Sequence, residues 1–372
     1  MCRSQRTLAK PPVCFVTVIK GLLGVALLVG LAGNLAPAWA REELFVTNEA
    51  NNSVTVYIRN ANGNVTPVRT LSGVELNDPS GLFVDTVNKE LFVANTGNDT
   101  VTVYPQTWPA LEPNTPPVRT LSGIDTKLDT PTGLFVDTVN GELFVANLGS
   151  DSVTVYPRTW VDPNTGPTRT LSGVVNTDLD DPADVAVDTV HNELFVANFG
   201  NDSITVYSRM VSGDTAPLRT LVGPLNTGLG GPQDLDVDTV HNELFVANFL
   251  AGSVTVYSRT ASGDTSPKRT LSGVENTDLN GPFGLAVDTV HDELFVANFS
   301  TPSVTVYSRT ASGDTGPTRT LSGGNTELSS PQFVAVTAST PIPTLSEWAQ
   351  ISMAALLAVG GLLALRRRCS AA

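Results

Sequence analysis

The chain has 372 residues, of which 41% are hydrophobic and 16% charged, and it contains 31 glycines and 25 prolines. This composition is too apolar for a disordered chain and too rich in turn residues for a coiled coil, a helical bundle or a collagen-like rod. The three cysteines stand at positions 2, 14 and 369, so no disulfide can form within residues 41–340. A hydrophobic core must therefore hold that part of the chain together.

Residues 1–40 have the order of a secretory signal peptide. Four basic residues between positions 3 and 20 precede an apolar run over residues 21–32, and Ala38, Trp39 and Ala40 form a small-residue cleavage site. We predict cleavage before Arg41 and export of the remaining chain. The alternative, an uncleaved membrane anchor, is disfavoured because the apolar run is well short of the roughly 20 residues that span a bilayer.

Six copies of one unit come after the signal peptide. Each copy contains Glu-Leu-Phe-Val-Thr/Ala-Asn, then Val/Ile-Thr-Val-Tyr, then Pro-x-Arg-Thr-Leu, then an apolar run such as residues 284–288. These runs are rich in β-branched and aromatic residues and are separated by Gly, Asn, Asp and Pro, so they predict four strands in each copy. A repeat of about 50 residues with four strands has the size of a β-propeller blade. The copies begin at Glu43, Glu90, Glu142, Glu193, Glu243 and Glu293.

The frame of the repeat predicts how the ring closes. The chain enters at a second strand, residues 44–47, and ends with an unpartnered inner strand, residues 333–336. Pairing these two segments completes an all-β, six-bladed propeller with four antiparallel strands per blade over residues 41–340, and it leaves no open sheet edge. An open β-solenoid is the alternative fold, but it would not need a split first repeat.

The repeated units resemble two known classes of propeller repeat. Pro-x-Gly-Leu-x-Val-Asp, Glu-Leu-Phe-Val-Ala-Asn and Ser-Val-Thr-Val-Tyr are similar to the NHL and YVTN repeats over nearly the whole body. The resemblance implies an extracytoplasmic protein that binds partners, since only a minority of such propellers are enzymes.

Residues that recur in every copy are predicted to build the scaffold. The six tyrosines, one in each blade, are expected to pack with the hydroxyl bonded to a neighbour. The Arg of Pro-x-Arg-Thr-Leu is expected to pair with the Asp that ends an inner strand, although the last copy has Thr337 in that position. His191, His241 and His291 occupy equivalent turns, which symmetry places too far apart for a zinc site.

Candidate ligand-binding residues are those at which the copies differ on one face of the ring. Asp184 and Asp234 replace the usual Gly, Asp236 interrupts an apolar strand, and Gln233 and Phe283 stand at the start of inner strands. Carboxylates on inner strands are expected to face the central channel, where a Ca²⁺ ion or a polar ligand would neutralise them. The alternative is a channel filled with water that solvates them.

A second candidate site lies on the opposite face. Trp108 and Trp160 stand in the longer, Pro-rich loops between third and outer strands, and a pair of exposed indoles would suit a glycan.

The last 32 residues, 341–372, have the pattern of a membrane anchor. A short motif precedes an apolar stretch over residues 349–365 and the cluster Arg366–Arg368, which predicts a transmembrane helix with a cytoplasmic arginine end. The motif, the apolar stretch and the arginine cluster together resemble the IPTL-type C-terminal sorting signal of Gram-negative bacteria. The resemblance implies recognition by an exosortase-like protease that releases or transfers the body towards the exterior of the cell envelope; a permanent single-span anchor is the alternative. The motif consists of Ile342, Pro343, Thr344, Leu345, Ser346, Glu347 and Trp348.

The sequence contains no nucleophile motif, phosphate loop or Cys/His metal set, so we expect no catalytic residues. The whole chain has a net charge of −14; without the +4 of residues 1–40 and the +2 of residues 341–372, the body carries −20, which disfavours nucleic acid. We therefore expect a non-catalytic surface module that binds protein or glycan and needs no cofactor other than Ca²⁺. The alternatives are a divalent-metal-dependent lactonase or lyase similar to the six-bladed gluconolactonase-type enzymes, and a structural protein of an envelope layer.

Overall fold

A computed structural model describes residues 42–337, which fold into six four-stranded antiparallel sheets arranged as the blades of a propeller. This confirms the predicted all-β, six-bladed fold. In each blade the strands have the order inner, second, third and outer. Blade 1 combines the last strand of the body with the first three, and blades 2 to 6 are formed in chain order.

The twenty-four strands of the described residues fall into four sets of six. The inner strands are β24 (Pro331–Val336), β4 (Pro79–Asp85), β8 (Pro131–Asp137), β12 (Pro182–Asp188), β16 (Pro232–Asp238) and β20 (Pro282–Asp288) in blades 1 to 6. The second strands are β1 (Glu43–Asn48), β5 (Glu90–Asn95), β9 (Glu142–Asn147), β13 (Glu193–Asn198), β17 (Glu243–Asn248) and β21 (Glu293–Asn298). The third strands are β2 (Ser53–Ile58), β6 (Thr100–Pro105), β10 (Ser152–Pro157), β14 (Ser203–Ser208), β18 (Ser253–Ser258) and β22 (Ser303–Ser308). The outer strands are β3 (Arg69–Ser72), β7 (Arg119–Leu121), β11 (Arg169–Ser172), β15 (Arg219–Leu221), β19 (Arg269–Leu271) and β23 (Arg319–Ser322), and single 3₁₀ turns cover Glu49–Asn51, Ile124–Thr126 and Leu148–Ser150.

The two ends of the body meet in blade 1, as predicted. β24 pairs antiparallel with β1, with Val336 opposite Leu44 and Val334 opposite Val46. Thr47 stands where the other five second strands have Ala, and its Oγ1 accepts a hydrogen bond of 2.9 Å from the Phe333 amide at the irregular end of this pairing. The ring is therefore closed by backbone pairing and needs no disulfide.

The hydrophobic core lies between neighbouring blades. Phe92 of blade 2 is fully buried in one cluster with Leu143 and Tyr156 of blade 3, and equivalent clusters occur around the ring. Both faces of each sheet are covered by a neighbouring sheet, which explains why the second strands are apolar throughout instead of alternating. Five tyrosine hydroxyls donate to a backbone carbonyl in the loop that enters their own blade from the preceding one, as expected for scaffold; they belong to Tyr57, Tyr156, Tyr207, Tyr257 and Tyr307.

The partner predicted for the arginine of Pro-x-Arg-Thr-Leu was wrong. This arginine pairs with the Glu that begins the second strand of its own blade, as in the two bonds of 2.6 and 2.7 Å from Arg69 to Glu43. The first residues of the second and outer strands lie at the same end of the blade on either side of the third strand, so their long side chains meet. The same pair recurs as Arg119 with Glu90, Arg169 with Glu142, Arg219 with Glu193, Arg269 with Glu243 and Arg319 with Glu293.

The Asp that ends an inner strand instead faces an arginine from the next blade. This arginine stands two residues after the conserved Tyr of that blade. We call each such contact, together with the Glu that begins the adjacent second strand, an arginine junction. Five junctions hold the Arg and Asp within 3.4–3.7 Å: Arg158 with Asp85, Arg209 with Asp137, Arg259 with Asp188, Arg309 with Asp238 and Arg59 with Asp288. Between blades 1 and 2 the equivalent residues are Thr337 and Gln106, so both charges are replaced together.

The connections define two faces of the ring. The loop face carries the outer-to-inner and second-to-third loops, and the turn face carries the inner-to-second turns. Within residues 42–337 no helix is long or apolar enough to cross a membrane. The predicted signal peptide, the sorting motif and the predicted helix over residues 349–365 lie outside the described residues.

Candidate functional site

A cavity of about 330 Å³ occupies the central channel. Its walls come from the inner strands, and it extends from the level of Asp184 and Asp234 to that of Thr86 near the turn face. Asp184, Asp234 and Asp236 all line it, so the structure brings together the three carboxylates that the sequence singled out.

The spacing between inner strands explains how carboxylates fit here. A Cβ at Gly81 or Gly284 would lie 2.2 Å from a carbonyl oxygen of the next inner strand, so only Gly fits at these positions. Asp184 and Asp234 occupy the equivalent positions in blades 4 and 5. Their inner strands must therefore stand farther from the next blade, with a carboxyl group between them.

Each carboxylate accepts a backbone hydrogen bond from the next blade. Oδ2 of Asp184 accepts from the Leu235 amide at 3.2 Å, and Oδ2 of Asp234 accepts from the Leu285 amide at 2.6 Å. Oδ2 of Asp236 accepts from the amide of Val287, 2.9 Å away. These amides hold the three carboxyl groups in fixed positions between blades 4, 5 and 6.

Burial shifts all three carboxyl groups towards the protonated form. Loss of hydration raises the pKa of Asp184 to about 7 and that of Asp236 to about 6, although the backbone amides oppose the shift. The pKa of Asp234 is raised well above its ordinary value, first by burial and then by the charge of Asp184. The carboxyl groups of Asp184 and Asp234 share a hydrogen bond, so the two titrate as a pair.

The other side of the channel is aromatic. Phe83 and Phe135, on the inner strands of blades 2 and 3, pack edge to face with ring centroids 5.1 Å apart. Both line the cavity, and Ala186, Ala286 and Ala335 occupy the equivalent positions on three other blades and leave space. The cavity thus has an apolar wall facing an acidic one, an arrangement typical of small-molecule sites.

Gln233 and Phe283, which were predicted to lie at the mouth of the channel, do not border this cavity. Gln233 is buried beside the start of its strand and does not border the cavity. The ring of Phe283 packs between Phe249, Phe299 and Phe333, with centroids 5.7–5.9 Å apart. Both residues belong to the packing at the loop-face end of the inner strands.

The Ca²⁺ hypothesis remains a prediction. Within residues 42–337, the one acidic group with three ligand atoms mutually within 4.8 Å is Asp151, Asp180 and Asp181, which are exposed on the loop face. The channel carboxylates are not so close together, and each already accepts a backbone hydrogen bond. A melting temperature that calcium leaves unchanged would reject calcium binding in the channel.

The predicted glycan site required two solvent-exposed indoles, and the structure shows that both are buried. Trp108 and Trp160 are only 6% and 7% exposed, and their Nε1 atoms donate to the carbonyl oxygens of Thr70 and Thr120. The guanidinium groups of the neighbouring outer-strand arginines, including Arg69, stack on both indoles. These rings therefore pack against the blades and do not form the exposed pair that the prediction assumed.

The three histidines also serve the scaffold. Nδ1 of His191 lies 2.7 Å from Oδ2 of Asp188, and the same contact recurs at His241 and His291. In the remaining turns, Asn88 and Asn140 donate to the Asp of their own turn in the same way. Each His therefore has a separate structural partner in its own blade.

Comparisons with protein families find two matches. The profile described as "Lactonase, 7-bladed beta-propeller" matches residues 38–178, and the IPTL-CTERM motif matches residues 340–368. The chain is thus a β-propeller with a C-terminal sorting signal, a signal that goes with export and cell-surface display. The lactonase match covers blades 1 to 3 and does not reach Asp184, Asp234 or Asp236. No curated protein matches the chain.

Solved structures with the same fold include a chain of a protein complex, a gluconolactonase and a putative 6-phosphogluconolactonase. The crystal structure of a nidogen/laminin complex has a TM-score of 0.59 at 17% identity and covers 80% of this chain and 99% of that one. The periplasmic gluconolactonase PpgL of Pseudomonas aeruginosa gives 0.52 at 16% identity, with 80% and 99% covered. A putative 6-phosphogluconolactonase from Bacteroides fragilis gives 0.53 at 13% identity, with 82% and 100% covered. At these identities the likeness establishes the fold.

The prediction of a non-catalytic binding module was wrong. The lactonase profile and the two gluconolactonase structures favour the lactonase-type alternative. The sequence favoured this reading only as an alternative, because nucleophile and metal motifs are the familiar signals of an enzyme and channel carboxylates belong to neither.

Proposed function

We propose that this propeller is a lactonase-type hydrolase whose reaction takes place in the central channel. The observation that carries the proposal is the set of three carboxyl groups around one cavity, two of them buried and that of Asp236 half-buried, on a chain whose residues 38–178 match a lactonase profile. Opening a lactone requires a base that takes a proton from water and an acid that protonates the leaving ring oxygen. The channel supplies carboxyl groups suited to both tasks.

The raised pKa values divide these tasks among the three residues. Asp236, with a pKa of about 6, is ionised at neutral pH and serves as the base. The hydrogen-bonded pair of Asp184 and Asp234, in which the pKa of Asp184 is about 7 and that of Asp234 is also raised, serves as the acid. Groups poised near neutrality in this way are the usual requirement for acid–base catalysis at physiological pH.

The reaction balances as a hydrolysis. The oxygen of water forms a bond to the carbonyl carbon of the lactone while its proton passes to the Asp236 carboxylate. The bond between that carbon and the ring oxygen then breaks, and the ring oxygen takes the proton held by Asp184 and Asp234. Transfer of the proton from Asp236 to the pair restores the starting state, and the product is the open-chain hydroxy acid.

The test is hydrolysis of D-glucono-1,5-lactone by the purified full chain, measured in a pH-stat and corrected for the spontaneous reaction. We expect turnover by the unmodified protein and a kcat lowered by about 100-fold or more in Asp236→Asn, in line with the loss of a general base. Asn retains an acceptor for the Val287 amide, so the fold should survive.

Glu112→Gln is the matched control, since it removes one exposed carboxylate outside the channel. It should leave kcat and KM unchanged. Absence of any turnover by the unmodified protein, or an unchanged kcat in Asp236→Asn, would reject the proposal.

The C-terminal region completes the proposed role. The IPTL-CTERM match supports recognition of residues 342–348 by an exosortase-like protease of the inner membrane, after export directed by residues 1–40. The propeller would then act at the cell envelope or outside the cell. Fractionation with an antibody to the propeller should find it in envelope or medium fractions, and Pro343→Ala should cause it to accumulate in the inner membrane.

A further inference from the structure

The lining of the channel contains negative charge that no cation balances. Nineteen residues of the described chain line the cavity; three are Asp, and none is Lys, Arg or His. The remaining lining residues are apolar except for Thr86. A ligand in this cavity therefore meets carboxyl groups and apolar surface.

The arginines at the turn-face ends of the inner strands that carry the channel carboxylates are already engaged. Arg259 contacts Asp188 and Glu193, and Arg309 contacts Asp238, Glu243 and Asp292. The side chains of both arginines are 8% exposed. A guanidinium held by two or three carboxylates at a buried junction is not free to turn into the channel and neutralise an anion.

The size and shape of the cavity restrict the ligand further. A volume of about 330 Å³ lies at the lower end of the range of ligand pockets and accommodates one small ring with its substituents. Phe83 and Phe135 offer apolar and π surface opposite the carboxylates, and such surface accepts the apolar face of a ring or a cationic group.

We infer that the channel admits uncharged and cationic monocyclic lactones and rejects phosphorylated and carboxylated ones. This inference rests on the proposed function and narrows its substrate class. A phosphate in the cavity would approach the carboxylates of Asp184, Asp234 and Asp236 in surroundings of low polarity, where repulsion is strong. The net charge of −20 on residues 41–340 adds to the rejection of anions.

The test separates charge selection from catalysis by using two sets of probes with the full chain. The first set is D-glucono-1,5-lactone, its 6-phosphate and the cationic α-amino-γ-butyrolactone, compared by kcat/KM. The second set is 1,5-anhydroglucitol and its 6-phosphate, which cannot be hydrolysed, compared by calorimetric Kd. We expect the phosphate to lower kcat/KM and weaken binding by roughly 100-fold or more, and the cationic lactone to be a substrate.

A charge-neutralising variant sharpens the result. Asp234→Asn with Asp236→Asn should bring the Kd values of 1,5-anhydroglucitol and its 6-phosphate within about tenfold of each other, while Glu112→Gln should retain the full difference. Equal hydrolysis of the phosphorylated and neutral lactones would overturn the inference and leave the proposed function standing. Binding of 1,5-anhydroglucitol but not its phosphate, without any lactone hydrolysis, would support charge selection and reject the proposed function. Failure to bind either anhydroglucitol, together with no hydrolysis, would overturn both.

Discussion

Two sets of aspartates on the inner strands, one at the strand ends and one in the channel, differ in their partners. Asp238 ends β16 at an arginine junction, where Arg309 and the amide of His241 neutralise and hold it. Asp236, two residues earlier, faces the channel and has a backbone amide but no cation. Each aspartate of the first set is paired with an arginine, and this arrangement recurs around the ring. The aspartates of the second set have no cationic partner and are confined to blades 4 and 5. Uncompensated burial is costly for stability, and it is the condition under which a carboxyl group becomes useful for proton transfer.

Breaking a junction should produce the largest effect on stability. Arg309→Gln removes the cation shared by Asp238 and Glu243 and should lower the free energy of unfolding by about 3–5 kcal/mol, because the buried Asp238 loses its arginine, while Glu243 keeps Arg269. Urea denaturation at neutral pH measures this. The chain provides its own control, since Gln106 and Thr337 occupy these two positions between blades 1 and 2. Arg309→Gln with Asp238→Thr should therefore lose less stability than Arg309→Gln alone; an equal or larger loss would contradict the compensation argument.

Substitution of Asp236 and of Asp238 by Asn should change the stability at pH 8 in opposite directions. Burial raises the pKa of Asp236 to about 6, above its value of about 4 in the unfolded chain. The contribution of protonated Asp236 to the free energy of unfolding is therefore complete below about pH 4 and is lost as the pH rises through about 6, a change of about 3 kcal/mol. Asp236→Asn should abolish this pH dependence, so the free energy of unfolding at pH 8 should rise relative to its value at pH 5. Asp238→Asn should destabilise it at pH 8, since Arg309 loses a partner. Urea titrations at both pH values test the pair, and a loss of stability at pH 8 in both variants would show that the two sites are alike.

The space beside the channel pair can be tested at a glycine. A Cβ at Gly133 would lie 2.1 Å from Oδ1 of Asp184 and 2.5 Å from its Cα, so Gly133→Ala should cost about 1–3 kcal/mol and displace that carboxyl group. Gly324→Ala is the control, because no atom lies within 4 Å of its Cβ position. Thermal unfolding checks both variants, and equal melting temperatures would mean that the inner strands can separate freely.

The smallest effect is expected at the turn histidines. His191→Asn should change the free energy of unfolding by less than about 0.5 kcal/mol, because Asn88 and Asn140 make the same bond to their Asp in other blades. His191→Ala should cost about 1 kcal/mol through loss of the bond to Asp188. Thermal unfolding with and without a chelator measures both. A chelator effect that His191→Asn abolishes would instead indicate a metal at this residue.

The sequence predicted the ring because the evidence for it is periodic. Repeats that start at a second strand and end with an inner strand determine both the number of blades and the closing pair, without knowledge of any single contact. Asp184, Asp234 and Asp236 were identifiable for a related reason, since each departs from a pattern that the other copies maintain. Their hydrogen bonds to the next blade were not identifiable, because they depend on the spacing between inner strands.

The errors concern contacts across strands and between blades. Arg69 was paired with an inner-strand Asp because spacing along the chain does not show that the Glu43 side chain lies nearer. A surface position was predicted for Trp108 because its loop is long and rich in Pro. However, Trp108 stands four residues after Tyr104, and Ala61, at the same distance after Tyr57, is also buried. The link between Gln106 and Thr337 was available from the sequence, since Gln106 is the one residue two positions after a conserved Tyr that is not Arg.

The closing strand ends a few residues before the matched sorting signal. Its last bond to the ring is made by Thr337, whose amide donates to the Glu43 carbonyl oxygen at 2.9 Å, and the sorting-signal match starts three residues later, at 340. The matched sorting signal therefore begins after the last strand of the described ring, and a cut within the matched residues would leave all twenty-four described strands in one polypeptide.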